Sequence, residues 1–141
     1  MRIGLVGCVK GKRSSPAHAR DLYTSALFLG RRRFVERTCD QWFVLSAKHG
    51  LVEPDRVLEP FDQTLNDAST AERRRWSEQV VGDLSEVVGD LHGIVFEAHA
   101  GKSYLDYGLA AGIERRGGIV HRLTDGMTFG RQLAFYKATG Q

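Results

Sequence analysis

The segment IVFEAHAGKSYL at residues 94–105 decides the fold, because a strand-like run passes directly into a glycine turn and a helix. Residues 94–98 form a short, mainly apolar run of the kind found in strands buried on both faces of a parallel sheet. In the helix that follows, Leu105, Leu109 and Ile113 fall on one side, and a Gly-Gly pair ends it. The segment therefore predicts one strand–helix unit of an α/β domain.

The same alternation of strand and helix recurs along the whole chain. Three more apolar runs are predicted as strands, at residues 3–7, 42–45 and 119–121. Helical patterns separate them, over 16–38 with a break near Ser25, and after a capping box that begins at Ser69. Right-handed crossovers place the strand-to-helix loops at one edge of such a sheet. The sequence thus predicts a single three-layer α/β domain over residues 1–141, with a short, mostly parallel four-stranded sheet flanked by helices.

Composition limits the function classes. With 42% hydrophobic residues in 141, the chain is large enough to bury its own core. No apolar stretch reaches the roughly 18 residues needed to span a bilayer, and the N-terminal apolar run is too short for a signal peptide. We therefore expect a cytoplasmic protein with no membrane partner. The two cysteines lack the spacing of a zinc site, so neither a metal nor a cofactor is predicted.

The basic residues allow a nucleic-acid partner without requiring one. The formal net charge is +3, and two arginine triplets stand at residues 31–33 and 73–75. Each triplet is either a solvated helix face or a surface that contacts phosphates. The sequence leaves both interpretations open.

Polar residues gather where the predicted strands end. They are Cys8, Lys10 and Lys12 after the first strand, Ser46, Lys48 and His49 after the second, and His99, Gly101, Lys102 and Tyr104 after the third. Ligands of open α/β sheets bind outside the carboxyl ends of the strands, and lysines beside glycine-rich turns suit an anion. Neither the dinucleotide fingerprint nor the Walker loop is present. The prediction is therefore an anionic, phosphate-bearing ligand.

Four residues are candidates for catalysis, and each has a structural alternative. His49 or His99 would act as acid or base, or each is a satisfied loop histidine. Cys8, flanked by lysines, would be a reactive thiol or a small packing residue. Asp62 would act in catalysis or would only form a turn after Pro60-Phe61. It lies in a long irregular stretch, residues 46–66, which is a candidate lid or substrate wall. Tyr104 would stack on a ligand or pack in the core.

Several motifs resemble known families over most of the chain. They are CVKGK at 8–12, ARDLYTS at 19–25, LSAKHGLV at 45–52, Pro60-Phe61-Asp62 and AGKSY at 100–104. Together they resemble an uncharacterised family of small bacterial α/β domains. More distantly the chain resembles the peroxide-stress resistance proteins of the YaaA type, which implies DNA binding. A weaker similarity is to accessory domains of tRNA transglycosylases, which implies exchange of nucleobases.

The leading hypothesis is a glycosylase-like hydrolase that cleaves or exchanges an N-glycosidic bond in nucleic acid or a nucleotide. His49, Asp62, His99 and Cys8 are the predicted catalytic residues. The predicted substrate-binding residues are Lys10, Lys12, Tyr23, Ser46, Lys48, Gly101, Lys102 and Tyr104. The alternatives are a non-catalytic DNA-binding protein of the stress response and a Cys-dependent or phosphoryl-transfer enzyme. The sequence does not predict an oligomeric state.

Overall fold

The computed structural model describes residues 1–8 and 13–139. Its strands are β1 (Arg2–Gly7), β2 (Ala17–His18), β3 (Gln41–Ser46), β4 (Gly50–Val52), β5 (Val57–Leu58), β6 (Val95–His99) and β7 (Ile119–His121). Its helices are α1 (Ala19–Leu22), α2 (Ala26–Thr38), α3 (Thr70–Val88), α4 (Lys102–Leu105), α5 (Leu109–Arg115) and α6 (Phe129–Thr139), with a 3₁₀ turn at Leu65–Asp67.

The central sheet has the strand order β4-β3-β1-β6-β7. β1 is parallel to both β3 and β6, and β7 is parallel to β6. Helices cover both faces, with α2 on one and α3 with α5 on the other. The prediction of a mostly parallel sheet flanked by helices is confirmed.

The predicted number of four strands is wrong, because β4 adds a fifth strand to the sheet. Gly50 adopts a φ of +72°, which reverses the chain so that Leu51 and Val52 pair antiparallel with Leu45 and Val44. A strand of three residues is too short to show an alternating pattern in the sequence. The rest of the 46–66 stretch is also less irregular than expected, since β5 pairs with β2 in a separate two-stranded sheet.

The helix boundaries follow the capping signals. Ser25 caps α2 by accepting a hydrogen bond from the Phe28 N–H at 3.2 Å. Ser69 and Glu72 form the predicted capping box of α3. The helix predicted after β6 is instead divided into α4 and α5 before Gly108, whose φ of +128° is unsuited to a helix.

The strand order defines where a ligand site is expected. The chain leaves β1 toward β3 on one side of the sheet, and leaves β6 toward β7 on the other. The topological switch point therefore lies at the carboxyl ends of β1 and β6. Among the residues the structure describes, no helix has the length and apolar character to cross a bilayer.

Candidate functional site

Three loops meet at the switch point because three strands end at the same level. Gly7 pairs with Leu45 in β3, and Val6 pairs with His99 in β6. The loop after β6 also lies directly against the end of β1, since a Cβ placed on Gly7 would be 2.6 Å from the Cβ of Ala100. Cys8 and the described residues that follow β3 and β6 are thus brought to one edge of the sheet.

Cys8, Tyr23, Ser46 and Tyr104 form what we call the edge cluster. The Cys8 Sγ lies 3.6 Å from the Tyr104 hydroxyl. The Tyr23 hydroxyl is buried close to Cys8 and Ser46, but neither of these contacts, nor any other with the described residues, has the geometry of a hydrogen bond. Burial, and after it the nearby Cys8, raise the pKa of both tyrosines above the usual range. Both phenols therefore keep their protons at neutral pH and are hydrogen-bond donors.

Tyr104 presents its hydroxyl, not its ring, to the edge cluster. The residue is only 4% exposed, and its ring packs at right angles to Trp76 with the centroids 5.4 Å apart. Trp76 is itself held by a hydrogen bond from its Nε1 to the carbonyl oxygen of Ser46, at 2.8 Å. Because the ring is covered, this geometry favours packing over the predicted stacking on a ligand.

His49 lies beside the edge cluster, next to the 61–64 segment. Its backbone N–H donates to the Ser46 Oγ at 3.1 Å, and its half-buried ring meets Phe61 edge-on at 5.5 Å. Lys48 is exposed, with its Nζ 5.8 Å from the centre of the same Phe61 ring. Burial, and after it the charges of Arg56 and Lys48, lower the pKa of His49. His49 is therefore mainly neutral at neutral pH and is a proton acceptor.

Asp62 follows Phe61 and is exposed. It lines a cavity of about 590 Å³ together with Ala47, Gln63 and Trp76. His49 does not line this cavity; its ring contacts Phe61, the residue before Asp62. The loop prediction for this residue is confirmed, and its role remains a prediction.

His99 does not reach the edge cluster. Its side chain is fully buried, with Nδ1 2.6 Å from the Tyr136 hydroxyl and Nε2 3.3 Å from Glu97. Although burial acts to raise it, hydrogen bonds from His99, Arg2 and Thr38 lower the pKa of Glu97 to about 2. Side chains alternate along a strand, which directs Glu97 and His99 toward α2 and α6. The structure corrects the expectation for His99 by assigning it to a core network rather than to the accessible site.

A second cavity, which we call the basic cavity, lies at the same edge between β6 and α6. Its volume is about 330 Å³, and its wall includes Arg31, Gly101, Lys102, Arg122, Thr124, Asp125 and Gln132. The sequence predicted Gly101 and Lys102 as ligand-binding residues, and Arg31 belongs to the triplet for which it left a phosphate-contacting role open, but the other four were not among the candidate site residues. The signal for Arg31 was its spacing in α2, where Leu27, Arg31 and Phe34 fall on the buried side.

The arginine triplets are not continuous exposed surfaces. Arg31 is 4% exposed, and Arg32 is paired with Asp21 at 2.9 Å. In the second triplet, Arg73 donates to the carbonyl oxygen of Leu65 at 2.7 Å. At least half of the six arginines therefore serve the protein's own structure.

Two of the predicted ligand-binding residues, Lys10 and Lys12, lie outside the described residues. Over 1–8 and 13–139, no group of three or more His, Cys, Asp or Glu side chains is arranged to hold a metal ion. The expectation of no metal and no cofactor stays a prediction.

Fold and site together define a small α/β domain with a mostly buried polar cluster and a basic cavity at the switch point of its sheet. The chain belongs to the family of unknown function DUF6884, whose model matches residues 3–138. It is also similar to the uncharacterized protein YfjM of Bacillus subtilis (strain 168), with 30% identity over 100 residues, which are 62% of this chain and 67% of that protein. Neither match bears on the YaaA-type proteins or on tRNA transglycosylases, so those resemblances stay predictions.

Proposed function

We propose that the protein is a cytoplasmic enzyme that cleaves or exchanges the N-glycosidic bond of a nucleotide or nucleic acid bound at the edge cluster. The observation that most supports this proposal is the buried Tyr23 hydroxyl, which lies beside Cys8 and Tyr104 and forms no hydrogen bond with a described residue. A buried polar group without a hydrogen bond costs about 1–3 kcal/mol. A nucleobase edge offers the acceptors that remove this cost, and the two protonated phenols offer the donors.

The chemistry requires positive charge to be stabilised on the sugar while the base leaves. In the proposed hydrolysis the bond from C1′ to the base nitrogen breaks, and its electron pair leaves with the base. The Asp62 carboxylate stabilises the developing cation. Water adds its oxygen to C1′ and gives a proton to neutral His49, and the protonated His49 then passes that proton to the departing base nitrogen. Such acid–base assistance is typically worth about 10² to 10⁴ in rate.

The test is the release of free base, measured by chromatography after incubation with single-stranded DNA, duplex DNA, tRNA and nucleotides. Asp62→Asn is expected to slow release by about 100-fold or more, because one electrostatic contact to the transition state is lost. Its thermal stability should change little, since the side chain is exposed. Asp83→Asn, the same change on α3, is the matched control and should release base at the wild-type rate.

A thiol-dependent enzyme is the second candidate, because the partly exposed Cys8 Sγ lies 3.6 Å from the Tyr104 hydroxyl. Cys8→Ala separates the two candidates. In the proposed glycosidic mechanism, Cys8 contacts the substrate but takes no part in bond cleavage, so base release is weakened at most in this variant, whereas a thiol nucleophile would leave none. If no substrate released base while DNA bound in a salt-sensitive way, the proposal would be wrong and the non-catalytic binder would be favoured.

A further inference from the structure

Arg31 is buried in the wall of the basic cavity without a carboxylate to neutralise it. Its Nη1 donates to the carbonyl oxygen of Gly7 at 3.3 Å, and its Nη2 donates to the Gln132 Oε1 at 3.2 Å. Its Nε is buried and has no hydrogen-bond partner among the residues described. Burial lowers the pKa of Arg31, but a guanidinium stays charged in proteins. A buried charge is unfavourable unless an opposite charge compensates it, so this cavity is suited to an anion.

The other walls of the basic cavity add further positive charge. Lys102 is exposed at its rim, and its ammonium forms no ion pair with any described residue. Arg122 is paired with Asp106 at 2.6 Å and Asp125 at 3.3 Å, while its Nε is buried and has no hydrogen-bond partner in the described ranges. Asp125 is the one carboxylate residue in the cavity wall as described, against three cationic residues. With Asp106 counted beside it, two carboxylates face the three cationic residues, and Arg31 and Lys102 are the two cations of the described wall that have no carboxylate partner.

We propose that the basic cavity binds a phosphomonoester group. A phosphate dianion compensates two positive charges where a carboxylate or a backbone diester compensates one. Its oxygens also accept the parallel N–H donors that a guanidinium presents. The volume of about 330 Å³ is at the lower end of the range for small-molecule sites and accommodates a phosphate with part of its sugar.

The basic cavity and the edge cluster are built on neighbouring elements, although no residue of the cluster lines the cavity. Arg31 contacts the backbone of Gly7, the residue before Cys8, and α4 supplies Lys102 to the cavity and Tyr104 to the cluster. A nucleotide with its phosphate in the cavity would therefore present its sugar and base toward the cluster. The substrate class is then a free nucleotide with a terminal phosphate, a conclusion that rests on the proposed function.

Calorimetry with inorganic phosphate at constant ionic strength tests the site itself. The wild type should bind, Lys102→Ala should bind about tenfold more weakly, and Arg31→Met up to about 100-fold more weakly, because hydrogen bonds to a charged group are lost. Lys137→Ala removes an exposed lysine on α6 and should bind as the wild type does. Circular dichroism checks that each variant is folded. If Arg31→Met does not fold, Arg122→Gln takes its place with the same expected direction.

Phosphate that fails to bind the wild type, or that binds all the variants equally, overturns the site. Base release from a nucleoside 5′-monophosphate and from the matching nucleoside then tests the substrate class. The nucleotide should be favoured in kcat/KM by about tenfold or more, and Lys102→Ala should remove most of that preference. Equal rates for both substrates would overturn the nucleotide assignment while leaving the reaction intact. If phosphate bound but no substrate released base, the phosphate site would be supported and the proposed reaction contradicted.

Discussion

Glu97→Gln tests whether the buried network around His99 is a stabilising part of the core. The carboxylate accepts hydrogen bonds from the Arg2 Nε at 2.6 Å and the Thr38 Oγ1 at 3.0 Å, and lies 3.3 Å from the His99 Nε2. Burial acts to raise its pKa, but these contacts lower it from 4.5 to about 2. A shift of one pKa unit corresponds to about 1.4 kcal/mol, so the charged form of Glu97 contributes about 3 kcal/mol to the free energy of unfolding at neutral pH. A glutamine keeps the volume and loses the charge, so we expect a loss of about 2–3 kcal/mol.

The pH dependence has a defined sign. The stability that Glu97 contributes is present above its unfolded pKa of 4.5 and is lost as the pH falls toward 2. Burial lowers the pKa of His99 below its usual 6.5. The unfolded chain therefore takes up a proton at His99 more readily than the folded protein, and the folded protein loses further stability as the pH falls below 6.5. The carboxylate of Glu97 opposes this lowering of the His99 pKa. The difference in the free energy of unfolding between the wild type and Glu97→Gln should therefore not narrow between pH 7 and 4.5, and it should disappear as the pH falls below 4.5.

Urea unfolding followed by circular dichroism at a series of pH values measures the gap. Glu36→Gln is the matched control, because Glu36 is an exposed partner of Arg32 at 3.2 Å and its loss should cost about 0.5 kcal/mol or less. The reasoning would be refuted if Glu97→Gln lowered the free energy of unfolding no more than the control does. It would also be refuted if the difference from the wild type stayed the same below pH 4.5. Folded Glu97→Gln should also release base at the wild-type rate, and a specific loss of activity would return His99 to the catalytic candidates.

Two further predictions concern the edge itself. Gly7→Ala is expected to lower the free energy of unfolding by about 1–3 kcal/mol, because its Cβ would lie 2.6 Å from that of Ala100. Urea unfolding checks this against Gly101→Ala, whose Cβ meets no atom within 4 Å and which should lose little. The acid limb of the pH profile for base release is expected at a pH below 6.5, because the mechanism uses neutral His49 and burial lowers its pKa. An acid limb that remains unchanged in His49→Gln would belong to another group.

The edge cluster could be predicted in part from the position of its residues after strands. Cys8 directly follows β1, and Ser46 is the last residue of β3. Parallel strands bring such positions to one edge of the sheet. Tyr23 was identified only through a motif, because its place near Cys8 depends on how α1 and α2 pack. β4 was missed since three residues carry too little periodicity to be recognised.

The sequence by itself determined the order of the main strands and helices, the caps at Ser25 and Ser69, and the edge at which polar loops gather. These features depend on local periodicity, on hydrogen bonds between near neighbours and on the handedness of crossovers. Only the tertiary structure decided what each polar side chain faces. His99 ends a strand yet points into the core, where its partner Tyr136 is 37 residues away. Arg31 belongs to a charged triplet yet contacts Gln132, 101 residues further along the chain, because burial and charge compensation are set by elements that meet only in the folded protein.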